Sequence, residues 1–336
     1  MKHFWVVALA VVLAGCGKED ESRPPGTAAK VKVAYVTNGI DPFWNVAAAG
    51  ARAGAKEFNA DVEIVMPQGL DDQKRKIEGL LARGIDGIAL SPIDAVNQAS
   101  FIDEAASKTP LITHDSDAPT SKRLCFVGMD NYAAGRAAGK LVKEALPGGG
   151  KLMIFVGRLE QLNAQQRRQG VLDEVLDRPA QSLDALKYDP NQGEIKGAKY
   201  TIVSTRTDGF DYAKAKANAE DAMASTPDLA CMVGLFAYNV PMCLEALKGA
   251  GKTGKIKVVS FDEQDGTLQG IKDGLVHGTV SQQPFEYGRH SVRILAGLAR
   301  KDKSVLPPKG FLEIEIRVVK KDNVEAFWGE LKKLRQ

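Results

Sequence analysis

From residue 31 onward, two hydrophobic rhythms take turns along the chain. Short apolar, β-branched runs occupy residues 31–36, 62–65, 87–90, 111–113, 124–127, 151–156, 200–204, 230–233, 258–261 and 278–282. Their brevity and near-continuous apolarity fit strands buried on both faces, as in parallel sheets. Between them, residues 70–83, 94–108, 131–146, 165–176, 212–224, 241–249, 267–273 and 285–300 carry helical patterns, as does the alanine-rich segment behind Phe43. Repeated strand–helix alternation gives parallel sheets wrapped by helices. About ten strands are too many for one compact sheet of this kind, and 336 residues are long for one core. The expected fold class is α/β, with two doubly wound parallel-sheet domains.

The residues just past each strand matter more than the number of strands. Val36 leads into Thr37, Asn38 and Gly39, which are turn formers, then into Asp41 and Pro42, where a helix can begin. Phe43 and Trp44 come next. A carboxylate and two flat rings therefore stand at the carboxyl end of a strand, where open α/β sheets bind ligands. Apolar faces beside hydrogen-bonding groups suit a sugar ring, which has C–H faces and a rim of hydroxyls. Ser91, Asp115, Asn163, Asp208 with Phe210, Phe236 with Tyr238 and Asn239, Asp262 and Gln282 also fall just past strands. Singly these are ordinary loop residues, and an Asp after a strand commonly caps the next helix. Together they line two facing rims if the carboxyl edges of the sheets point at each other. A cleft between domains is a common small-molecule site.

The start of the chain adds a destination. Met1, Lys2 and His3 make a short basic region, residues 4–14 are uninterruptedly apolar, and Leu13, Ala14, Gly15 and Cys16 close the run. That is the layout of an export signal, well short of the ~20 apolar residues that span a bilayer. The closing residues resemble a bacterial lipobox, which implies removal of residues 1–15 and lipidation of Cys16. An ordinary secretory signal with Cys16 incidental is the alternative. Residues 16–29, charged and rich in Pro, Gly and Ser, predict a flexible tether.

Composition removes several classes. Lys and Arg number 45 against 42 Asp and Glu, without the basic block that nucleic acid demands. Cys125, Cys231 and Cys243 lie in apolar neighbourhoods and are expected to be buried hydrophobes. None has metal-ligand spacing, and His114, His277 and His290 share no spacing with Cys or Glu. Residues 249–253 imitate a phosphate loop, but the first glycine of that pattern falls on Ala246 and the segment comes after a helix. No nucleophile-elbow motif holds a Ser-His-Asp order. No metal or cofactor is expected.

Five motifs bring these observations together: DPFW at 41–44, PLITHDSD at 110–117, VGMDNYAAGRAAG at 127–139, VVSFDEQ at 258–264 and GTVSQQPFEYG at 278–288. They resemble the ribose-type periplasmic sugar-binding proteins of ABC transporters, the type-1 periplasmic-binding-protein fold, from Val31 to about Val324. The resemblance implies two lobes joined by a three-strand hinge, with the ligand cleft between them. The lobes expected are 30–128 with 283–311, and 129–282 with 312–324, then a tail helix at 325–336. The chain is expected to cross near 128–129, 282–283 and 311–312.

Position by position, the resemblance puts Asp41 at a polar sugar contact and Phe43 and Trp44 at the stacking aromatics of the first domain. Asp115 falls on a hydroxyl-binding aspartate. Asn163 and Arg167 match a polar residue and an arginine at the start of a second-domain helix. Phe210 matches an aromatic wall on the opposite lip, Asp262 a second hydroxyl-binding aspartate, and Gln282 a glutamine beside the hinge. Two positions depart from the pattern. Ser116 stands where ribose binders carry an arginine, and Phe236 where they carry an asparagine. The departures point away from ribose, toward a hexose or a substituted pentose.

The implied function is that of a non-enzymatic receptor, monomeric, periplasmic or at the cell surface, and lipid-anchored to a bacterial membrane through Cys16. It captures a monosaccharide by hinged closure and presents it to an ABC permease. The alternative is a sugar-sensing subunit for a chemoreceptor or histidine kinase, which has the same fold. A sugar-responsive repressor would need a DNA-binding segment where this chain has an export signal. A carbohydrate-active enzyme would need an acid/base pair, whereas these aspartates are placed for hydroxyls.

Overall fold

Runs that are apolar throughout become strands without a solvent face: 87–90, 111–114 and 278–281 are buried at every position. The computed structural model describes Met1 and residues 30–335; the expected signal, Cys16 and the tether lie outside the described residues. In chain order the first elements are β1 (Val31–Val36), α1 (Phe43–Glu57), β2 (Ala60–Val65), α2 (Leu70–Ala82), β3 (Gly87–Leu90), α3 (Ala99–Ala106), β4 (Leu111–His114) and β5 (Phe126–Gly128). Next come α4 (Asn131–Ala145), β6 (Gly150–Val156), α5 (Leu162–Val175), β7 (Ile195–Lys196), β8 (Tyr200–Thr207), α6 (Tyr212–Ser225), β9 (Leu229–Gly234) and α7 (Asn239–Gly249). The chain ends with β10 (Lys257–Phe261), α8 (Asp265–Lys272), β11 (Gly278–Ser281), α9 (Pro284–Ala299), β12 (Phe311–Glu313), β13 (Arg317–Val319) and α10 (Val324–Leu334).

These strands form two sheets, as the alternation predicts. The first has the order β12-β5-β4-β3-β1-β2 and is parallel throughout. The second has the order β13-β11-β10-β9-β6-β8-β7, with a parallel centre and antiparallel edge strands β13 and β7. Each sheet is covered on both faces, so the buried apolar side chains fall into four clusters. In the first lobe, Ala47, Ala51, Val292 and Leu295 of α1 and α9 pack on one face, and Ile77, Leu80 and Ile102 of α2 and α3 on the other. In the second, Leu141, Val142, Val171 and Leu172 of α4 and α5 cover one face. Residues of α6, α7, α8 and α10, among them Met223, Leu247, Leu268 and Phe327, cover the other.

The helices begin where local chemistry allows. Asp130 caps α4 by accepting from the Ala133 amide at 2.8 Å, Asp211 caps α6 through the Lys214 amide at 3.0 Å, and Pro284 opens α9. α4 and α5 touch backbone to backbone. A Cβ on Gly135 would lie 2.1 Å from the Arg167 carbonyl oxygen, so only glycine lets α5, with its arginine, approach this closely.

Several boundaries differ from expectation. Residues 94–98 form a turn rather than the start of α3, because Gln98 Oε1 takes the amides of Ile93 and Asp94 at 2.7 and 2.9 Å. Strand β8 continues to Thr207 because β6 pairs with it over its whole length. Three short strands, β7, β12 and β13, carry too little pattern to be seen in the sequence. One of them moves a crossing: Phe311–Glu313 pairs in parallel with Phe126–Gly128 of the first sheet. The chain therefore passes between lobes at 314–316 rather than at 311–312. The other passages fall between β5 and α4 and between β11 and α9. The terminal helix α10 is not a separate tail, since Val324, Phe327 and Leu331 belong to a second-lobe core cluster.

Candidate functional site

The two sheets aim their carboxyl edges at a common space. Its walls are built by the segments just past β1, β2, β4, β6, β8, β9, β10 and β11, with Arg167 reaching in from α5. The cavity measures ≈ 280 Å³, room for roughly nine waters at ~30 Å³ each, and so for a ligand of monosaccharide size. Nine of the ten expected site residues line it: Asp41, Phe43, Trp44, Asp115, Arg167, Phe210, Phe236, Asp262 and Gln282. Asn163 is not in the lining. It is buried one turn before Arg167 on α5, with both side-chain polar atoms unpartnered. Phe236 lines the cavity, so it is not simply core.

The two aspartates occupy equivalent places. Asp115 comes directly after β4 and Asp262 directly after β10, each with a left-handed backbone, φ 58° and 66°. Asp tolerates that region better than most residues. Each backbone amide stays in its sheet, Asp115 donating to the Val127 carbonyl at 3.1 Å and Asp262 to Val280 at 2.8 Å. Asp115 Oδ2 accepts from Ser91 Oγ at 3.1 Å and Asn38 Nδ2 at 3.4 Å. Asp262 Oδ1 accepts from Gln282 Nε2 at 2.7 Å, and Gln282 Oε1 accepts from the Tyr287 hydroxyl at 3.2 Å. Burial pushes the Asp115 carboxyl up to about 6, against the pull of Arg167 and the Ser91 hydrogen bond. Burial also lifts Asp262, helped by the negative charges of Asp115 and Asp41, and lifts Glu263, helped by the charge of Asp262 beside it.

Arg167 is the buried cation between them, 1 % exposed. Its Nε donates to Asn131 Oδ1 at 2.9 Å and one terminal nitrogen to the Leu235 carbonyl at 3.1 Å. The guanidinium lies over the rings of Phe261 and Phe236, at 4.4 and 5.3 Å from their centroids. The other terminal nitrogen is 3.9 Å from Asp115 Oδ1 and has no hydrogen-bond partner. A buried donor left unmade costs ~1–3 kcal/mol, and this one belongs to a side chain that lines the cavity.

Aromatic rings complete both walls. On the first lobe, Phe43 and Trp44 stand nearly perpendicular, centroids 5.0 Å apart. Trp44 rests edge-on against His114, which stacks on Tyr35 at 4.0 Å. Burial pushes the His114 imidazole down to about 3, so it is a neutral ring, with Nε2 donating to the Val36 carbonyl at 3.1 Å. On the second lobe, Phe210 meets Phe236 edge-on at 5.6 Å. Arg158 lies over the Phe210 ring, 5.2 Å from its centroid. Tyr238 also lines the cavity; its hydroxyl donates to the buried Asp208, which further accepts from Asn239 Nδ2 at 3.0 Å.

Asn38, Gln68, Arg158, Tyr212 and Tyr238 are cavity residues that the sequence did not single out as contacts. The strand-end pattern already drew attention to Tyr238 and to Ser91, which braces Asp115. Tyr212 gave no signal, because it opens a helix-forming run. Among the described residues no group of three or more metal-ligating side chains forms, and no helix is long and apolar enough to cross a membrane. Cys125, Cys231 and Cys243 are buried and free, and burial raises their thiols, Cys125 to about 11 and Cys231 to about 12.

A family model for the periplasmic binding protein domain matches residues 31–303. The chain belongs to the periplasmic binding protein family. This is a solute-binding and not a catalytic fold, and membership places the protein's work outside the cytoplasm. The binding protein is similar to the ribose import binding protein of Bacillus subtilis, 26% identical over 252 residues, covering 74% of this chain and 75% of the relative. It is 27% identical over 292 residues to a D-ribose/D-allose-binding protein of Pseudomonas aeruginosa, covering 81% and 84%. Among solved structures, it superposes with a TM-score of 0.78 on an ABC transporter solute-binding protein from Burkholderia graminis in complex with D-arabinose. That pair is 26% identical, covering 89% of this chain and 98% of the other. The ribose-type resemblance and the two-sheet fold are thereby borne out for this binding protein.

Proposed function

We propose that this protein captures a monosaccharide, a pentose or hexose, between its two lobes and delivers it to an ABC permease, held to the membrane by a lipid on Cys16. The observation that carries this reading is the convergence of Asp115 and Asp262 from opposite lobes on the half-free guanidinium of Arg167, inside a ring-walled cavity. Each carboxylate can accept hydroxyls, and charge-assisted hydrogen bonds contribute ~1.5–3 kcal/mol apiece. Rings on both sides exclude water and lower the dielectric. A guest that bridges both lobes favours the closed form by its differential affinity, and closure is a change that a permease can read.

A thermal-shift screen over pentoses, hexoses and polyols tests the binding step. A true ligand at 100 times its Kd should stabilise the protein by ~2.7 kcal/mol; a uniformly flat screen rejects the reading. For the anchor, the parent should fractionate with membranes and a Cys16→Ser variant should not.

A further inference from the structure

The two lobes also touch each other at the mouth of the cavity. Tyr212, the first residue of α6 in the second lobe, donates its hydroxyl hydrogen to Asp41 Oδ2 of the first lobe at 2.8 Å. We infer that Tyr212 is a positioning residue that clasps Asp41 across the cleft and sets how long the closed form lasts. This rests on the proposal that the cavity opens and closes around a ligand.

Each half of the clasp is fixed by its own lobe before they meet. Asp41 Oδ1 accepts from the Phe43 amide at 2.8 Å, which leaves Oδ2 for the opposite lobe. The Tyr212 ring stacks on Tyr238 at 5.0 Å, and the Tyr238 hydroxyl is held in turn by Asp208. Gln264 Nε2 donates to the Tyr212 oxygen at 3.3 Å, so the phenolic hydrogen is left to point at Asp41. A contact between preset groups loses little conformational freedom on forming.

The geometry distinguishes this contact from the approach of Arg167 to Asp115, which also spans the cleft. Arg167 and Asp115 stop at 3.9 Å, deep in the cavity, with room for a guest atom to bond both. Tyr212 and Asp41 close to a full hydrogen bond at the rim, where Tyr212 is 38 % exposed. Residues 41 and 212 lie on different lobes, so the bond exists only when the lobes are this near. It therefore adds to closure and must break on release, which assigns it to the dissociation rate rather than to encounter.

The test uses Tyr212→Phe, which keeps the ring and removes the hydroxyl. Stopped-flow fluorescence with D-ribose, D-allose and D-arabinose should show dissociation about tenfold faster, the low end for a hydrogen bond to a charged group, with association unchanged. Asp41→Asn combined with Tyr212→Phe should be less than additive. Tyr188→Phe, at an exposed second-lobe tyrosine outside the cavity, should match the parent. In parallel, spin labels on Asp71→Cys and Glu220→Cys, one exposed position per lobe, report the interlobe distance in the absence of sugar. Loss of the clasp should shift that distribution to longer distances. Unchanged dissociation together with an unchanged distribution overturns the inference. If none of the three sugars binds the parent, the sugar proposal loses its support, and the distance measurement alone decides the clasp.

Discussion

The two lobes solve one problem with different means. Each places an aspartate in the left-handed region immediately after a central strand, Asp115 after β4 and Asp262 after β10. The first lobe steadies its carboxylate with a neutral hydroxyl and amide, Ser91 and Asn38, and has no buried Lys or Arg among the described residues. The second holds its carboxylate with Gln282 and supplies Arg167 for both. Their aromatic walls differ as well. Phe43 and Trp44 are adjacent in sequence, whereas Phe210, Phe236 and Tyr238 come from behind two strands and meet only in the fold. The first lobe is thus an acceptor surface. The second is an acceptor surface with the donor built in, and the proposed capture depends on bringing them together.

If the aspartates are equivalent, Asp115→Ala and Asp262→Ala should each abolish a sugar-induced thermal shift. Both should leave the unliganded fold intact, because each removes a carboxylate whose burial is costly when ionised. A full loss in one variant beside a parent-like response in the other would break the equivalence.

Arg167→Met should expose the asymmetry. Sugar affinity should fall about 100-fold, as expected for removing a buried charge-assisted donor. Unlike the aspartate variants, it should also destabilise the unliganded protein by about 3 kcal/mol, because breaking a buried charge cluster strands its partners. Asn131 Oδ1 and the Leu235 carbonyl lose their donor, and two buried carboxylates lose their cation. Urea denaturation with sugar titration separates the two effects; an unaltered midpoint would place Arg167 in binding alone.

The walls give a smaller contrast. Phe43→Leu and Phe210→Leu keep bulk but remove a flat face, and each should weaken binding about fivefold, near 1 kcal/mol for one aromatic contact. Phe210→Leu should do more if the second wall matters more, since Phe210 also supports Phe236 and carries Arg158. Calorimetry with the best sugar of the screen decides the order.

The same contrast explains what could be read from the residues. The first wall and both aspartates were legible because each sits directly past a strand whose apolar run is unmistakable, so the carboxyl-edge rule finds them. Arg167 needed the family resemblance, since a helix-borne arginine beside Arg168 looks like a solvated face until α5 is packed on α4 through Gly135. Tyr212 was hidden by its helix-forming context, and its role depends on Asp41, 171 positions away. The last crossing was misplaced by a few residues because three-residue strands carry no period to read. In each case the missing information was tertiary: which helix face meets which sheet, and which loop meets its counterpart.

The smallest predicted effect concerns protons, and it separates site carboxylates from supporting ones. The Asp115 carboxyl, raised to about 6 in the folded protein, ionises near 3.9 when unfolded. The folded unliganded state then binds the proton more tightly. Its contribution to stability is full below about pH 4 and is lost as pH rises through about 6. Binding runs the other way. Hydroxyls donating to a carboxylate favour its ionised form, so a sugar lowers the carboxyl's pKa and releases a proton. Affinity should therefore fall about twofold as pH drops from about 7.5 to about 6, where half of the Asp115 groups must first ionise. Asp262, raised by burial as well, adds in the same direction. Asp208 is also pushed up to about 6, but it supports Tyr238 from behind and is absent from the cavity lining. Calorimetry in buffers of different ionisation enthalpy should count protons released on binding, and Asp208→Asn should leave that count unchanged. A pH-independent affinity with no proton release would mean that the sugar does not donate to these carboxylates, and the acceptor role given to both lobes would fail together.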